Sequence, residues 1–114
     1  MNEATRILRE ALIGEQLSAV TFVMDYFQFD FDGNRLTVLT KPRAELHNED
    51  IQNFRDRLCT LIAKQVTSVE EIAGIAIHID FEDTGRLIIP LHEDARVQVE
   101  AAYFSIQNKT VWTW

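Results

Sequence analysis

Apolar side chains recur at Ala4, Ile7, Leu8, Ala11 and Leu12, one stripe of a 3.6-residue helix, with Asn2 ahead of it as a cap and Gly14 as its stop. The period then changes. Through the next stretch apolar and polar positions alternate, the mark of strands lying with one face on a core. The spacing predicts strands over 17–23, 26–32 and 36–40, with Asp32-Gly33-Asn34 as a tight hairpin turn. A second helical stripe, Ile51, Phe54, Leu58, Leu61 and Ile62, follows Asn48 and predicts a helix reaching Gln65, with Glu49 and Asp50 favoured at its positive end. Alternation resumes over 66–72, 75–82 and 86–91, turning at Asp83-Thr84-Gly85. Pro42 cannot donate to a sheet ladder, so it stops the third strand and leaves 40–47 as the main connection. Pro90 likewise demotes 86–91 to an edge or a short strand. A hairpin over 97–114, turning at Asn108, closes the chain, its first arm read from the alternation of Val97, Val99, Ala101 and Tyr103.

Two stretches of this pattern are alike in residues as well as in period. Leu12-Ile13-Gly14-Glu15-Gln16-Leu17-Ser18-Ala19-Val20 aligns with Leu61-Ile62-Ala63-Lys64-Gln65-Val66-Thr67-Ser68-Val69, with four identities and four conservative changes at an offset of 49. Phe27-Gln28-Phe29-Asp30-Phe31-Asp32 answers Ile77-His78-Ile79-Asp80-Phe81-Glu82 at an offset of 50, and each run meets a turn followed by Arg-Leu. The expectation is an internally duplicated chain, with copies over about 1–41 and 50–91, each a helix and three strands, facing each other across an approximate two-fold axis. The fold class expected is α+β: one domain over 1–114, with a curled antiparallel sheet of six to eight strands and two helices on one face. The core expected is Ile7, Leu8, Leu12, Phe27, Phe29, Phe31, Leu58, Leu61, Ile62, Ile77, Ile79, Phe81, Leu87 and Ile89.

Composition narrows the function classes. At 46% apolar and 25% charged, the 114 residues match an ordinary globular domain. No apolar run approaches the length of a membrane span and no secretion signal opens the chain, so a cytoplasmic location is expected, without membrane contact. The formal charge of −7 opposes binding to nucleic acid and suits a basic partner protein. Cys59, the single cysteine, has no disulfide partner within the chain and is expected to be a packed, inert thiol.

Leu12 to Val23, followed by Asp25-Tyr26 and Phe31-Asp32-Gly33, with Arg57-Leu58-Cys59-Thr60-Leu61-Ile62 and a Trp-rich C-terminus, resembles a family of small, uncharacterised bacterial proteins. The resemblance covers most of the chain and rests on structural positions. It implies a bacterial cytoplasmic protein, and it implies no chemistry.

Candidate chemistry follows from the alternation. Gln28, Asp30 and Asp32 share the polar side of one strand, and His78, Asp80 and Glu82 share that of its counterpart. Side by side, these strands would gather four carboxylates and one imidazole in a patch able to bind a hard cation. The simpler expectation is that they are solvated outward residues, neutralised across the strands by Arg35 and Arg86, so no metal site is predicted. His47, His78 and His92 form no ligand pair of helical spacing, and His92-Glu93-Asp94 has the spacing of an ordinary polar loop. No nucleophile elbow or glycine-rich phosphate loop is present, so no catalytic residue and no cofactor are assigned. Trp112 and Trp114 alternate along the terminal strand and put both rings on one side, as a core contact or an interface anchor. That strand is also an edge on which a homodimer could close.

The expectation drawn from this is a non-enzymatic, acidic interaction module of the bacterial immunity-protein or inhibitor kind. The alternative is a small-molecule or metal-ion binder, or a hydrolase, whose site lies where the two copies meet. The residues that carry either reading are Asp30, Asp32, His78, Asp80, Glu82, Trp112 and Trp114.

Overall fold

The computed structural model describes residues 2–114. Along the chain come α1 (Glu3–Leu12), β1 (Ala19–Phe22), β2 (Phe27–Phe31), β3 (Asn34–Val38), β4 (Arg43–Leu46), α2 (Phe54–Cys59), β5 (Val66–Ile72), β6 (Ala76–Phe81), β7 (Gly85–Pro90), a 3-10 turn (Glu93–Ala95), β8 (Ala102–Ile106) and β9 (Lys109–Thr113). The class is α+β with antiparallel pairing, as the periodicity predicts. The single curled sheet is instead two sheets, one of five strands ordered β1-β2-β3-β8-β9 and one of four ordered β4-β7-β6-β5.

The division has a definite cause. After β3 the chain leaves its own sheet and lays β4 along β7, and after β7 it crosses back and lays β8 along β3. Each sheet is therefore completed by a strand from the other half. β4 lies in what the sequence reading treats as a connection, because Pro42 reads as a stop. The segment after it, Arg43-Ala44-Glu45-Leu46, nonetheless alternates exposed and buried. Pro90 is likewise not on an edge strand, since β7 lies between β4 and β6. The β4 ladder runs only from Gly85 to Ile88, so Pro90 lies beyond the reach of a β4 partner and its missing N–H breaks no bond there.

The halves also meet along their backbones. Residues 14–17 and 63–66 pass antiparallel, with Gln16 bridged to Gln65. Gly14 N donates to Val66 O at 2.9 Å and Ala63 N to Leu17 O at 2.8 Å; Leu17 N donates to Lys64 O at 3.2 Å and Val66 N to Glu15 O at 2.8 Å. Gly14 and Ala63, 49 residues apart, both adopt positive φ, +91° and +71°, as the chain turns from helix into this ladder.

The helices pack at the two edges of the four-stranded sheet. α1 packs on β5, where Arg9 Nε donates to Val69 O at 2.7 Å and the buried Thr5 hydroxyl accepts the Glu71 amide at 3.1 Å. α2 packs on β4 and β1. Arg57 reaches Ala44 O with Nη2 at 2.8 Å, and Phe54 joins Phe22 and Phe27 in an edge-to-face trio with centroids 5.9–6.4 Å apart. α1 is capped as expected, with Asn2 accepting from Thr5 N at 2.7 Å. α2 is much shorter than its apolar stripe suggests. Asn53, not Asn48, is its cap, accepting from the Arg55 and Asp56 amides, while Asn48 accepts from Asp50 N in a local turn. The chain then turns at Ala63 to join the ladder. In this short helix Leu58 takes the buried position and Cys59, one step round, is exposed, contrary to the packed thiol expected.

One buried cluster lies under both sheets. Every residue of the expected core is in it or against it, with Ile7, Phe27 and Ile62 half buried. Leu17, Leu36, Val38, Val66, Val69 and Phe104 also belong to it, and each is buried to at least 99%.

Two outcomes follow. Gly85 has φ +155°, and a Cβ there would strike the Glu45 carbonyl and lie 2.9 Å from Leu46 Cα. Gly85→Ala should therefore cost about 2–4 kcal/mol in urea unfolding by forcing β4 from β7; a cost below about 0.5 kcal/mol would mean that β4 is not seated there. Because each half supplies a strand to the other's sheet, separately produced fragments 1–48 and 49–114 should each lack a cooperative melt and regain one when mixed. Either fragment melting cooperatively alone would contradict the exchange.

Candidate functional site

The strand alternation that builds the core also sets what stands on the outside. On the five-stranded sheet, Asp30 of β2 faces Arg35 of β3 in register; on the four-stranded sheet, Asp80 of β6 faces Arg86 of β7. Arg35 Nε meets Asp30 Oδ1 at 2.6 Å. Arg86 grips Asp80 with two nitrogens, Nε to Oδ1 at 2.6 Å and Nη2 to Oδ2 at 3.2 Å, and its Nη1 lies 3.1 Å from His78 Nδ1. A guanidinium can only donate, so this His78 nitrogen is the acceptor. The hydrogen bonds to Asp30 and Asp80 push Arg35 and Arg86 further above the ordinary arginine range. Cross-strand neutralisation by arginine is thus present in both sheets.

The acids do not gather into one patch. β2 and β6 lie in different sheets, so Asp30 is separated from His78 and Asp80. Asp32 and Glu82 are exposed in turns, and Asp32 N donates to the Ser18 hydroxyl at 3.4 Å. Among the described residues no group of three or more His, Cys, Asp and Glu side chains is placed to hold a metal ion. His47 and His92 are exposed; His47 borders a concavity that Asp80 and Arg86 also line, and His92 stands at the start of the 3-10 turn.

The terminal tryptophans share a side of β9, as their spacing predicts. Trp112 lies opposite Phe104, whose side chain is fully buried, so both rings face the core side of the sheet. Trp114 packs against the core, its Nε1 buried without a hydrogen-bond partner, and its backbone continues the pairing through Trp114 N to Ala102 O at 2.9 Å. Trp112 stays half buried on the strand that ends the sheet, and Val111, extra in the register, is exposed.

Two concavities stand out. The first, about 570 Å³, lies at the seam of the halves and is lined by residues 14–18, Asp32, Ile62, Ala63 and Gln65. The second, about 680 Å³, lies where the turn after β1 and the segment before β8 border the outer side of the five-stranded sheet. Asp25, Tyr26, Leu39, Glu100, Tyr103 and Thr113 line it. Sequence reasoning misses this groove, because its residues come from segments read as a turn and a strand arm. Residues 97–100 in fact precede the strand, and Gln98 and Glu100 among them line the groove. The one signal available was the pair of tyrosines, Tyr26 and Tyr103, the only ones in the chain.

Comparison of the chain with protein-family models, curated proteins and solved structures gives no match. No helix among the described residues is long and apolar enough to cross a membrane.

The Asp–Arg pairs are partly exposed, with side-chain exposures of 47% and 22% for Arg35 and Asp30 and of 40% and 32% for Arg86 and Asp80. A double-mutant cycle on Asp80 and Arg86 should return a coupling of about 0.5–1 kcal/mol, weakened by salt, as for other half-exposed pairs. A coupling well above about 2 kcal/mol, insensitive to salt, would mark the pair as something other than surface neutralisation.

Proposed function

We propose that the chain is a non-enzymatic interaction module of the bacterial cytoplasm, of the immunity-protein or inhibitor kind, which binds a basic partner protein. The observation that carries this reading is the free end of the five-stranded sheet. There β9 offers an unpaired strand edge, exposed Val111 and half-buried Trp112, beside an open groove lined by carboxylates and tyrosines. Strand edges and aromatic anchors are what protein interfaces use. The net charge of −7 supports a basic partner, because complementary potentials speed encounter.

We further read residues 1–41 and 50–91 as two copies of one unit. The seam supports this: its hydrogen bonds come in pairs that exchange under the 49-residue offset, Gly14–Val66 with Ala63–Leu17 and Leu17–Lys64 with Val66–Glu15. The Asp30–Arg35 and Asp80–Arg86 pairs also match, each within its own sheet.

A second reading, a small-molecule binder with its site where the copies meet, is favoured by the 570 Å³ cleft at that seam. Asp32 is the one acid of the expected patch that borders it.

The tagged chain, used as bait in its native cells, should retain a protein partner in stoichiometric amount. Trp112→Ala should lower that retention about tenfold, a binding loss of about 1.4 kcal/mol, with Tm moved by no more than a few degrees. A chain that retains no protein, and whose Tm rises with a cell metabolite extract, would overturn the first reading in favour of the second.

A further inference from the structure

We infer that the groove between the turn after β1 and the segment before β8 is a receptor for a cationic side chain, an arginine or lysine on an exposed segment of the partner protein. The inference rests on the reading of the chain as an interaction module and says where, and with what chemistry, that module makes contact.

The groove has the composition such a guest requires. Asp25 and Glu100 border it from two different segments, and among the described residues neither carboxylate has a hydrogen bond or ion pair. This sets them apart from Asp30 and Asp80, whose charges are already taken by Arg35 and Arg86 at 2.6 Å. Tyr26, Tyr103 and Leu39 line the same groove. Aromatic faces attract a guanidinium or ammonium through the ring quadrupole, and a carboxylate supplies the charge-assisted hydrogen bond that fixes its orientation. A volume of about 680 Å³ admits one long cationic side chain together with part of the backbone that carries it.

A second feature marks the same two segments as a contact surface. Met24, beside Asp25, is 93% exposed, and Val97 and Val99, alternating with Gln98 and Glu100, are 81% and 83% exposed. These are the three most exposed large apolar side chains among the described residues, and all three flank in sequence the residues that line the groove. Apolar side chains around a polar, charge-reading centre are the anatomy of a protein interface, and an acidic chain selects a basic occupant.

Nona-arginine is the probe, titrated into the full chain at about physiological ionic strength and followed by amide chemical shifts. The expected result is that shifts concentrate on residues 24–26 and 97–103. Asp25→Asn/Glu100→Gln should weaken binding about tenfold, and Tyr26→Leu should weaken it severalfold. The control Glu49→Gln/Asp50→Asn, which removes the same charge from an exposed loop elsewhere, should leave binding within about twofold. Equal weakening by both double variants, or shifts spread evenly over the acidic surface, would overturn the groove assignment. The two ideas fail separately. If the chain retains a partner whose binding is insensitive to Asp25→Asn/Glu100→Gln, the groove is wrong and the interaction reading stands; if no partner is retained, the reading itself falls.

Discussion

The short antiparallel ladder between residues 14–17 and 63–66 is the constraint on which the rest of the structure depends. Its four backbone bonds tie the end of α1 to the start of β5, and the end of the α2 region to the approach to β1. A buried backbone group left without a partner costs about 1–3 kcal/mol, so the ladder fixes the halves in one relation. Once they are so placed, each half's sheet has one unfilled edge, and the chain fills it from the other half, β4 against β7 and β8 against β3. Neither half can then bury its apolar face without its neighbour, which is why the core is one cluster beneath both sheets.

The exchange also sorts the charges. Within a sheet, cross-strand register places Asp30 opposite Arg35 and Asp80 opposite Arg86, and such pairs contribute about 0.2–1 kcal/mol each. Acids in register are thereby neutralised, and much of the chain's net negative charge is left to the turns and connections. Asp25, Asp32, Glu82 and Glu100 all lie outside the strands, and the acidic surface is a property of the loops.

Periodicity made most elements legible, because helix and strand periods are local and one face of each element is buried. β5 runs over the residues expected, and α1 begins at its expected cap. What was not legible is non-local. Nothing in the alternation of Arg43-Ala44-Glu45-Leu46 says that its partner is β7, and Pro42 argued for ending a strand when it stands just before one. The apolar stripe continuing to Ile62 read as helix, although the last positions serve a turn whose purpose is the ladder. For the site, the outward direction of Asp30 and Asp80 and their arginine partners could be read from spacing. Whether β2 and β6 would lie side by side could not, because sheet order is decided by the exchange.

The differences between the two sets of matched strands carry information. In strand register, Gln28, Asp30, Arg35 and Thr37 correspond to His78, Asp80, Arg86 and Ile88, so the ion pairs are common property of both sheets. The groove is not. Tyr26 corresponds to Ala76, and Tyr103, opposite Thr37, corresponds to Arg43, opposite Ile88, so an acceptor for cations on one sheet faces a cation at the matching place on the other. Glu100, Val97 and Val99 come from the long connection between β7 and β8, where the first half has only a few residues between β3 and β4, and β9 has no counterpart at all. Parts that both halves share hold the fold together. Parts that one half alone possesses converge on one rim of the five-stranded sheet, beside the groove.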